Sequence, residues 1–338
     1  MMTWLNYITL NSVAPVPNLH EISDAGAGEG LMQLHPTRDT ELIACGRANT
    51  LLAGEYLPSP ALGNGSVTPA ILVHGIFKAL QKKGFKIRLH SYQLGLDNVP
   101  DFSDSELDDV VIHQCKLGEE ENLIRNELIP ELMRQAENGE EHLIAESGIG
   151  GTTFATLWLR HWLDEKLWFA GSTKDPEKLA VKSRVLEMLQ QQAGGLGLDA
   201  EKFTRDMNLS DPVQRACCTL LAADLPSLHL AGGAMIFAPV IAMKGKTQVE
   251  KLAVGTTRWV LESSDAKVTA QALPDNCALF MPKTDFTRSE FDAIRMYERG
   301  YVIEGCGLGA CLVFAEHHGL TQTEIMTSLD LSVESWLA

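Results

Sequence analysis

The sequence predicts an α/β fold, with a Rossmann-like, mostly parallel sheet flanked by helices and a smaller helical domain. Three observations lead to this prediction. Short apolar runs alternate with segments of helical periodicity, two of the junctions between them carry an acid followed by glycines, and no segment recurs at a fixed spacing. With 338 residues, 45% of them hydrophobic, the chain can bury a core large enough for such a fold.

The stretch from His142 to Leu159, HLIAESGIGGTTFATLWL, contains the first of these junctions. Residues 143–145 are typical of a buried parallel strand, and Phe154 and Leu157 recur at helical spacing. The glycines between them therefore belong to a tight turn. Glu146 follows the strand at its carboxyl end, where open α/β sheets bind their ligands.

The glycine turn has the composition of an anion-binding loop. Gly148, Gly150 and Gly151 would let backbone N–H groups approach an anion, and Thr152 or Thr153 could cap the following helix. The positive end of that helix would face the anion. The alternative is that a strand-to-helix turn needs one or two glycines for its geometry alone.

A second junction, YVIEGCGLGACLVFAEHHG from Tyr301 to Gly319, repeats this organisation. We expect a strand ending at Ile303, then Glu304, then alternating glycines that begin at Gly305 and leave room for a flat ligand. Two such units in one sheet would direct Glu146 and Glu304 into one cleft. The alternative for a single glutamate after a strand is an ordinary surface residue.

The other elements follow from turn, cap and periodicity signals. Residues 1–40 contain turn residues and little periodicity, which indicates an arm or part of the small helical domain. The Rossmann-like domain is expected at 41–320 and a helical segment at 321–338. In chain order, the patterns predict a strand at LIACG from Leu42, a helix from Thr68 to Leu80, a strand at 85–89, a solvated acidic loop at 101–109, a helix at about 119–138, an amphipathic helix after Pro176, a helix from Asp211, a strand and glycine bend at LHLAGG, and strands at 252–254 and 278–281.

Charge and cysteine content exclude several classes of protein. The formal net charge of −16 argues against a nucleic-acid or anionic-membrane surface. The N-terminus lacks a basic signal-peptide region, and the longest apolar run, 228–243, is too short to span a bilayer. Seven cysteines without CxxC spacing indicate reduced thiols in a cytoplasmic protein, with neither a disulfide framework nor a zinc site. We expect no cofactor and no metal.

The two glycine motifs together resemble a known family. ESGIGGTT and IEGCGLGA are similar to the nicotinate-nucleotide–dimethylbenzimidazole phosphoribosyltransferases, which build the lower-ligand nucleotide of cobamides, and most similar to a divergent branch known largely from archaea and cyanobacteria. The resemblance extends from about Leu42 through most of the chain. Supporting segments are VTPAI, DPEKLAVKSRV, AGGAM, DFTRSEF and YERGYVIEG.

The resemblance implies a Rossmann-like domain with a small helical domain, a homodimer, and a role for each matched residue. Glu304 takes the position of the catalytic base, and Glu146 that of a second active-site acid. Phosphoribose and nucleotide binding would involve Ser147, Gly148, Gly150, Gly151, Thr152, Thr153, Lys182, Ser289 and Gly305, and base binding would involve Thr68 and Ala70.

Four of these matches have specific qualifications. Gly151 replaces an asparagine that is common in the main bacterial branch. Ala70 stands where that branch has a glutamine that contacts the benzimidazole, which leaves the accepted base open. Pattern alone would make Lys182 an exposed lysine on a solvated helix face, and Ser289 is a weaker match.

The implied reaction moves phosphoribose from nicotinate mononucleotide to 5,6-dimethylbenzimidazole or a related base. The leaving pyridine departs neutral, whereas the incoming azole must lose a proton, which a carboxylate can accept. Backbone amides and a lysine would hold the monophosphate. The alternative is a non-catalytic nucleotide-binding module of the same fold. A serine hydrolase using Ser147 is disfavoured because Ile149 stands where the nucleophile elbow needs glycine.

Overall fold

A parallel sheet of seven strands forms the centre of the described part of the chain, which comprises residues 3–25, 28–52, 60–62 and 64–337 of a computed structural model. The strand order is β3-β2-β1-β4-β5-β6-β7, and every neighbouring pair is parallel. The predicted α/β class is confirmed. The strands are β1 (Trp4–Val13), β2 (Lys86–Leu94), β3 (Asp109–Cys115), β4 (Glu141–Ile149), β5 (Ser227–Ala231), β6 (Lys251–Gly255) and β7 (Cys277–Phe280).

Helices cover both faces of the sheet. They are α1 (Leu34–Cys45), α2 (Pro69–Lys82), α3 (Glu120–Leu123), a π-helical turn (Ile124–Leu128), α4 (Ile129–Glu137), α5 (Gly151–Trp162), α6 (Pro176–Ala193), α7 (Ala200–Arg205), α8 (Pro212–Leu221), α9 (Ala234–Ala242), α10 (Ser264–Gln271), α11 (Asp292–Arg295), α12 (Leu308–His317) and α13 (Gln322–Leu337), with short 3₁₀ turns at Leu19–Glu21, Arg258–Glu262, Phe286–Arg288 and Met296–Arg299. No helix in the ranges described is long and apolar enough to cross a membrane.

The sheet separates two hydrophobic clusters. Because successive residues of a strand point to opposite faces, Leu5 and Tyr7 of β1 pack with α1, α2, α12 and α13, whereas Ile8 and Leu10 pack with α5, α6, α8 and α9. Strands that are buried on both faces in this way are typical of doubly wound α/β proteins.

The strand order reverses between β1 and β4, which are neighbours in the sheet but far apart in sequence. Parallel sheets bind ligands at such a switch point, beyond the carboxyl ends of the strands. Glu146 lies in the last part of β4 and pairs in register with Leu10 of β1. The topology therefore places Glu146 beside the switch point.

The interpretation of residues 1–40 as an arm is wrong for Trp4–Val13, because this segment is the central strand β1. Its apolar pattern is broken by four polar residues that are completely buried, Asn6, Thr9, Asn11 and Ser12. Their hydrogen bonds come from distant parts of the chain; for example, Thr40 Oγ1 donates to Asn11 Oδ1 over 2.9 Å. The boundaries expected for the domains otherwise stay predictions.

The strand expected at LIACG is also wrong, because these residues form the last turns of α1. A short apolar run fits a buried helix as well as a buried strand, and Leu42, Ile43 and Ala44 are all buried in one cluster. Gly46 ends the helix in the left-handed conformation, with φ of 68°.

Two further differences between prediction and structure concern strands. The sequence did not predict β3, DVVIHQC, because its polar residues and the neighbouring acids are typical of a loop. A strand at the edge of a sheet can nevertheless carry such polar residues. The strand expected before Glu304 does not form, since residues 301–305 are irregular. The carbonyl of Ile303 accepts a hydrogen bond from the Thr257 hydroxyl instead of joining a ladder. The remaining predicted elements are confirmed within a few residues.

Helix α12 lies unusually close to the end of β6. A Cβ atom at Gly309 would lie 2.1 Å from the carbonyl carbon of Thr256, and one at Gly255 would lie 2.5 Å from Cβ of Ala310. Such contacts with backbone cannot be relieved by a side-chain rotation. Glycine at these positions is what allows the helix to reach the sheet.

Gly309→Ala is therefore expected to destabilise the protein by about 1–3 kcal/mol or more, because the added methyl group must displace backbone. Urea unfolding of the purified chain would measure the change. Gly319→Ala is the control, since a Cβ there meets nothing within 4 Å and only its positive φ is penalised. Equal stability of Gly309→Ala and the wild type would contradict this packing.

Candidate active site

Two consecutive glycines after β5 bring the predicted acids together. A Cβ atom at Gly232 would lie 2.4 Å from Cγ of Glu146, and one at Gly233 would lie 3.8 Å from Cβ of Glu304. The two glutamates therefore approach the same dipeptide, one from β4 and the other from the loop before α12. Gly232 itself has φ of 154°, and the space beside it is taken by the Glu146 side chain.

The Glu304 carboxylate is held by main-chain donors. Its Oε2 accepts a hydrogen bond from the Thr257 amide at 2.7 Å, and its Oε1 accepts from the amides of Gly305 at 3.1 Å and Gly309 at 3.3 Å. Burial raises the pKa of Glu304 to about 7, and these backbone hydrogen bonds oppose the shift. A carboxyl group with this pKa can accept and release a proton near neutral pH.

Glu146 is more deeply enclosed, with only 7% of its surface exposed. Burial and, to a smaller extent, the nearby Glu304 carboxylate raise the pKa of Glu146 well above its usual range. The backbone amides of Gly148 and Gly233 oppose this shift. Because two neighbouring buried carboxylates resist being charged together, the pair favours a state with at least one proton at neutral pH.

The glycine loop begins helix α5, with Gly150 as the N-terminal cap at φ of 78°. A Cβ atom at Gly148 or Gly151 would lie 2.7 or 2.3 Å from the methyl group of Met235, and one at Gly150 would lie 2.4 Å from the Leu19 side chain. Gly150 is required for its positive φ, whereas a methyl group at Gly148 or Gly151 would have to displace the flexible end of Met235. On the side of the loop that faces Met235 and Leu19, these contacts support the alternative that the glycines serve the local geometry.

On its other side, the start of α5 lies close to a buried lysine. A Cβ atom at Gly171 would lie 3.3 Å from Thr152 Oγ1 and 3.5 Å from Lys182 Nζ, so both groups border the same glycine. Lys182 is only 2% exposed, which excludes the solvated-face interpretation. Its ammonium donates to the carbonyls of Phe169 at 2.6 Å and Ala170 at 3.0 Å. Burial, and then Arg160, lower the pKa of Lys182 to about 7.

Most of the other predicted site residues gather around Gly305 and Cys306. A Cβ atom at Gly305 would lie 3.1 Å from Cγ of Pro69, the first residue of α2. Thr68 caps that helix by accepting from the Ala70 amide at 3.4 Å. The Cys306 thiol donates to Ser147 Oγ over 3.9 Å. The start of α2 and the end of β4 are therefore connected through one short segment.

Ser289 is not connected to this group by any hydrogen bond within the described ranges. Its hydroxyl donates to Oδ1 of Asp330 in α13, and its oxygen accepts from the Phe291 amide at 3.1 Å. Its role in phosphate binding stays a prediction.

Sequence reasoning missed two acids that belong to the site. Asp211 accepts from the Val213 amide at 2.8 Å and from Ser12 Oγ at 3.2 Å, and its Oδ2 would lie 3.3 Å from a Cβ at Gly151. Burial raises the pKa of Asp211 to about 6. Asp39 lies near Cys306, whose φ of 52° is rare for a residue with a side chain. Asp211-Pro212 predicted only a helix start, and nothing in the pattern around Asp39 marked it.

The fold and the paired acids define an α/β protein with a carboxylate site at its switch point. No family model matches the chain. It is similar to UPF0284 proteins of Gloeothece citriformis (27% identical, covering 91% of this chain and 85% of the relative), Sulfurisphaera tokodaii (24%; 96% and 91%) and Pyrococcus furiosus (30%; 56% and 58%). These relatives come from cyanobacteria and archaea, as do most members of the branch that the glycine motifs resemble.

Among solved structures, the crystal structure of CobT from Thermus thermophilus aligns with 98% of this chain and 84% of its own, with a TM-score of 0.48 and 12% sequence identity.

The raised pKa of Glu304 predicts a pH dependence of stability. Its pKa is about 7 in the folded protein against the ordinary 4.5 of a glutamate, so the folded state binds more protons between these values. The contribution of Glu304 to stability should therefore decline as pH rises from about 4.5 through 7, by no more than about 3 kcal/mol. Glu304→Gln should flatten this part of the profile of unfolding free energy against pH, measured by urea titration. An unchanged profile would mean that Glu304 does not titrate in this range.

Proposed function

We propose that this protein is a phosphoribosyltransferase that acts on nicotinate mononucleotide and a benzimidazole-type base. It would transfer phosphoribose to 5,6-dimethylbenzimidazole or a related base, giving alpha-ribazole 5′-phosphate or its analogue and nicotinate. The observation that carries the proposal is the Glu304 carboxyl group, which has a pKa near 7 and lies beside a second buried acid at the switch point. Homodimer formation and a cytoplasmic location belong to the same proposal.

The proposed chemistry needs one base. As a ring nitrogen of the azole attacks C1′ of the ribose, the bond from C1′ to the pyridinium nitrogen breaks and its electron pair neutralises the pyridinium. The azole then carries a surplus proton on its other nitrogen, and Glu304 takes that proton. Positive charge that develops on the ribose during transfer is stabilised by a nearby carboxylate, for which Glu146 is the candidate.

The donor phosphate would be held at the start of α5. The helix N-terminus, the Thr152 hydroxyl and the Lys182 ammonium lie around Gly171, and together they supply main-chain, hydroxyl and cationic donors. An anion at this point would favour the charged form of Lys182. The lysine would thus respond to the donor by taking up a proton.

The alternative is a nucleotide-binding module without turnover. Such a module would retain the glycine loop and bind the nucleotide without transferring its phosphoribose. Mixing nicotinate mononucleotide with benzimidazole and measuring released nicotinate separates the two functions. Binding of the donor without nicotinate release would support the module.

Glu304→Gln should retain donor binding and lose transfer by about two to four orders of magnitude, the usual effect of removing a positioned general base. The wild-type kcat/KM should rise with pH up to about 7, because the base must be ionised, and fall above it, because Lys182 then loses its charge. Initial rates of nicotinate release across pH measure both effects. Glu262→Gln, an exposed residue, is the control. Wild-type rates in Glu304→Gln would remove this residue from the mechanism.

Lys182→Met should weaken binding of nicotinate mononucleotide by roughly 10- to 100-fold, the usual effect of losing a charged hydrogen bond. Because the pKa of Lys182 is about 7, the wild type should take up a proton when it binds the donor at pH 8. Calorimetry in buffers of different ionisation enthalpy measures this uptake.

Lys178→Met is the matched control for this experiment, one turn earlier on α6, where the ammonium pairs with Asp24 at 2.7 Å. It should leave affinity and proton uptake unchanged. If Lys182→Met binds the donor as the wild type does, the phosphate lies elsewhere.

A further inference from the structure

The loop between α5 and α6, residues 163–175, touches three separate parts of the molecule around the site. At the first of them, Lys182 Nζ donates to two carbonyls of the loop at 2.6 and 3.0 Å. Gly171, which follows these carbonyls, borders both Lys182 Nζ and Thr152 Oγ1. The loop is therefore attached to the two side chains that are proposed to hold the donor phosphate.

Ser172 attaches the loop to the segment that follows β1. Its Oγ accepts hydrogen bonds from the amides of Asp24 at 3.2 Å and Ala25 at 3.0 Å, and it lies 2.9 Å from Ser23 Oγ. Two amide donors and one hydroxyl partner use the full hydrogen-bonding capacity of a serine side chain. The middle of the loop is thus fixed by a part of the chain that is distant in sequence.

Lys174 attaches the loop to the segment that leads to Glu304. Its ammonium donates to the Arg299 carbonyl at 3.3 Å and lies 4.5 Å from the centre of the Tyr301 ring, within the range of a cation–π contact. A Cβ atom at Gly300 would lie 3.7 Å from the same nitrogen. Lys174 therefore borders three consecutive residues, and the last of them stands three positions before Glu304.

The segment 301–304 has few other attachments. It is irregular, and the last three of its amides form no hydrogen bond within the described ranges. Its end near the acid is held through the Ile303 carbonyl, which accepts from the Thr257 hydroxyl. Its other end is held by one main-chain hydrogen bond of Tyr301 and by Lys174. The position of this segment thus depends on contacts at its two ends.

We propose that Lys174 is a positioning residue, which transmits the binding of the donor phosphate to the segment that carries Glu304. The proposal rests on the proposed function and adds to it a residue that acts through the main chain. A phosphate bound by Lys182 fixes the loop through the carbonyls that this lysine already holds, and Lys174 then fixes the segment 301–304. A displacement of about 1 Å in a catalytic group can cost about 100-fold in rate, so the loss of one such contact is measurable.

Hydrogen–deuterium exchange tests this connection directly. Lys174→Met should speed exchange of the hydrogen-bonded amides of Gly300 and Tyr301 in the free protein, because one attachment of the segment is lost. Nicotinate mononucleotide should slow exchange in residues 163–175 of both proteins, but at Gly300 and Tyr301 only in the wild type. Lys174→Arg should behave as the wild type does, because a guanidinium also donates to a carbonyl and stacks on a ring.

Kinetics separate positioning from a general loss of stability. Lys174→Met should lower kcat for nicotinate release by about tenfold and change the Kd of the donor by no more than about twofold, and Lys174→Arg should restore kcat. Tyr301→Leu should have a similar effect, and the double variant should be little slower than either single variant, because both remove the same contact. Lys166→Met, at an exposed lysine of the same loop, is the control and should match the wild type.

The outcomes separate this proposal from the proposed function. Protection of residues 163–175 by the donor without protection of Gly300 and Tyr301 overturns the role of Lys174. A lower melting temperature of Lys174→Met with wild-type kcat and exchange also overturns it, because the contact then only stabilises the loop. If Lys174→Met does not fold, Lys174→Gln provides the same comparison. If the wild type releases no nicotinate with any base, the proposed function fails, and the exchange experiment still decides the role of Lys174.

Discussion

The close approach of backbone segments at the carboxyl ends of β4, β5 and β6 determines the rest of this structure. Gly232 and Gly233 leave room for two glutamates, and Gly309 lets α12 reach the end of β6. Because α12 lies that close, the amides of Thr257 and Gly309 can both point at the Glu304 carboxylate. A methyl group at Gly309 would push α12 away from the end of β6, and one at Gly232 would collide with the Glu146 side chain.

The close approach of these backbone segments also explains why the pKa values of the acids are raised. Desolvation disfavours their charged forms, and backbone N–H groups provide only part of the compensation, so the pKa values of Glu146, Glu304 and Asp211 are all raised. Such an arrangement lowers stability at neutral pH, and proteins retain it where a proton must be exchanged. Lys182 follows the same rule with the opposite sign, because burial favours its neutral form.

An element could be predicted from the sequence when the residues that determine it are adjacent in the chain. The strand, glycine turn and helix around Glu146 are encoded by adjacent residues, and so is the capped helix from Thr68. β1 could not be predicted because its buried polar residues are satisfied by partners far along the chain, such as Thr40 and Glu140. The expected strand before Glu304 failed for a similar reason, since Thr257 binds the Ile303 carbonyl. Asp39 became visible only when folding brought α1 beside Cys306.

The two layers of the fold suit the stereochemistry of the proposed reaction. Helix α5, which carries Thr152, and helix α6, which carries Lys182, pack in the hydrophobic cluster on one face of the sheet. Helices α1, α2 and α12 pack in the cluster on the other face. The proposed phosphate-binding start of α5 and the proposed base-binding start of α2 thus come from opposite layers of the fold. A single displacement at C1′ needs the nucleophile and the leaving group on opposite faces of the ribose, and it converts the beta linkage of the donor into the alpha linkage of the product. Binding the two substrates from opposite layers would meet that requirement through position alone, which is a large contribution to rate for a two-substrate reaction.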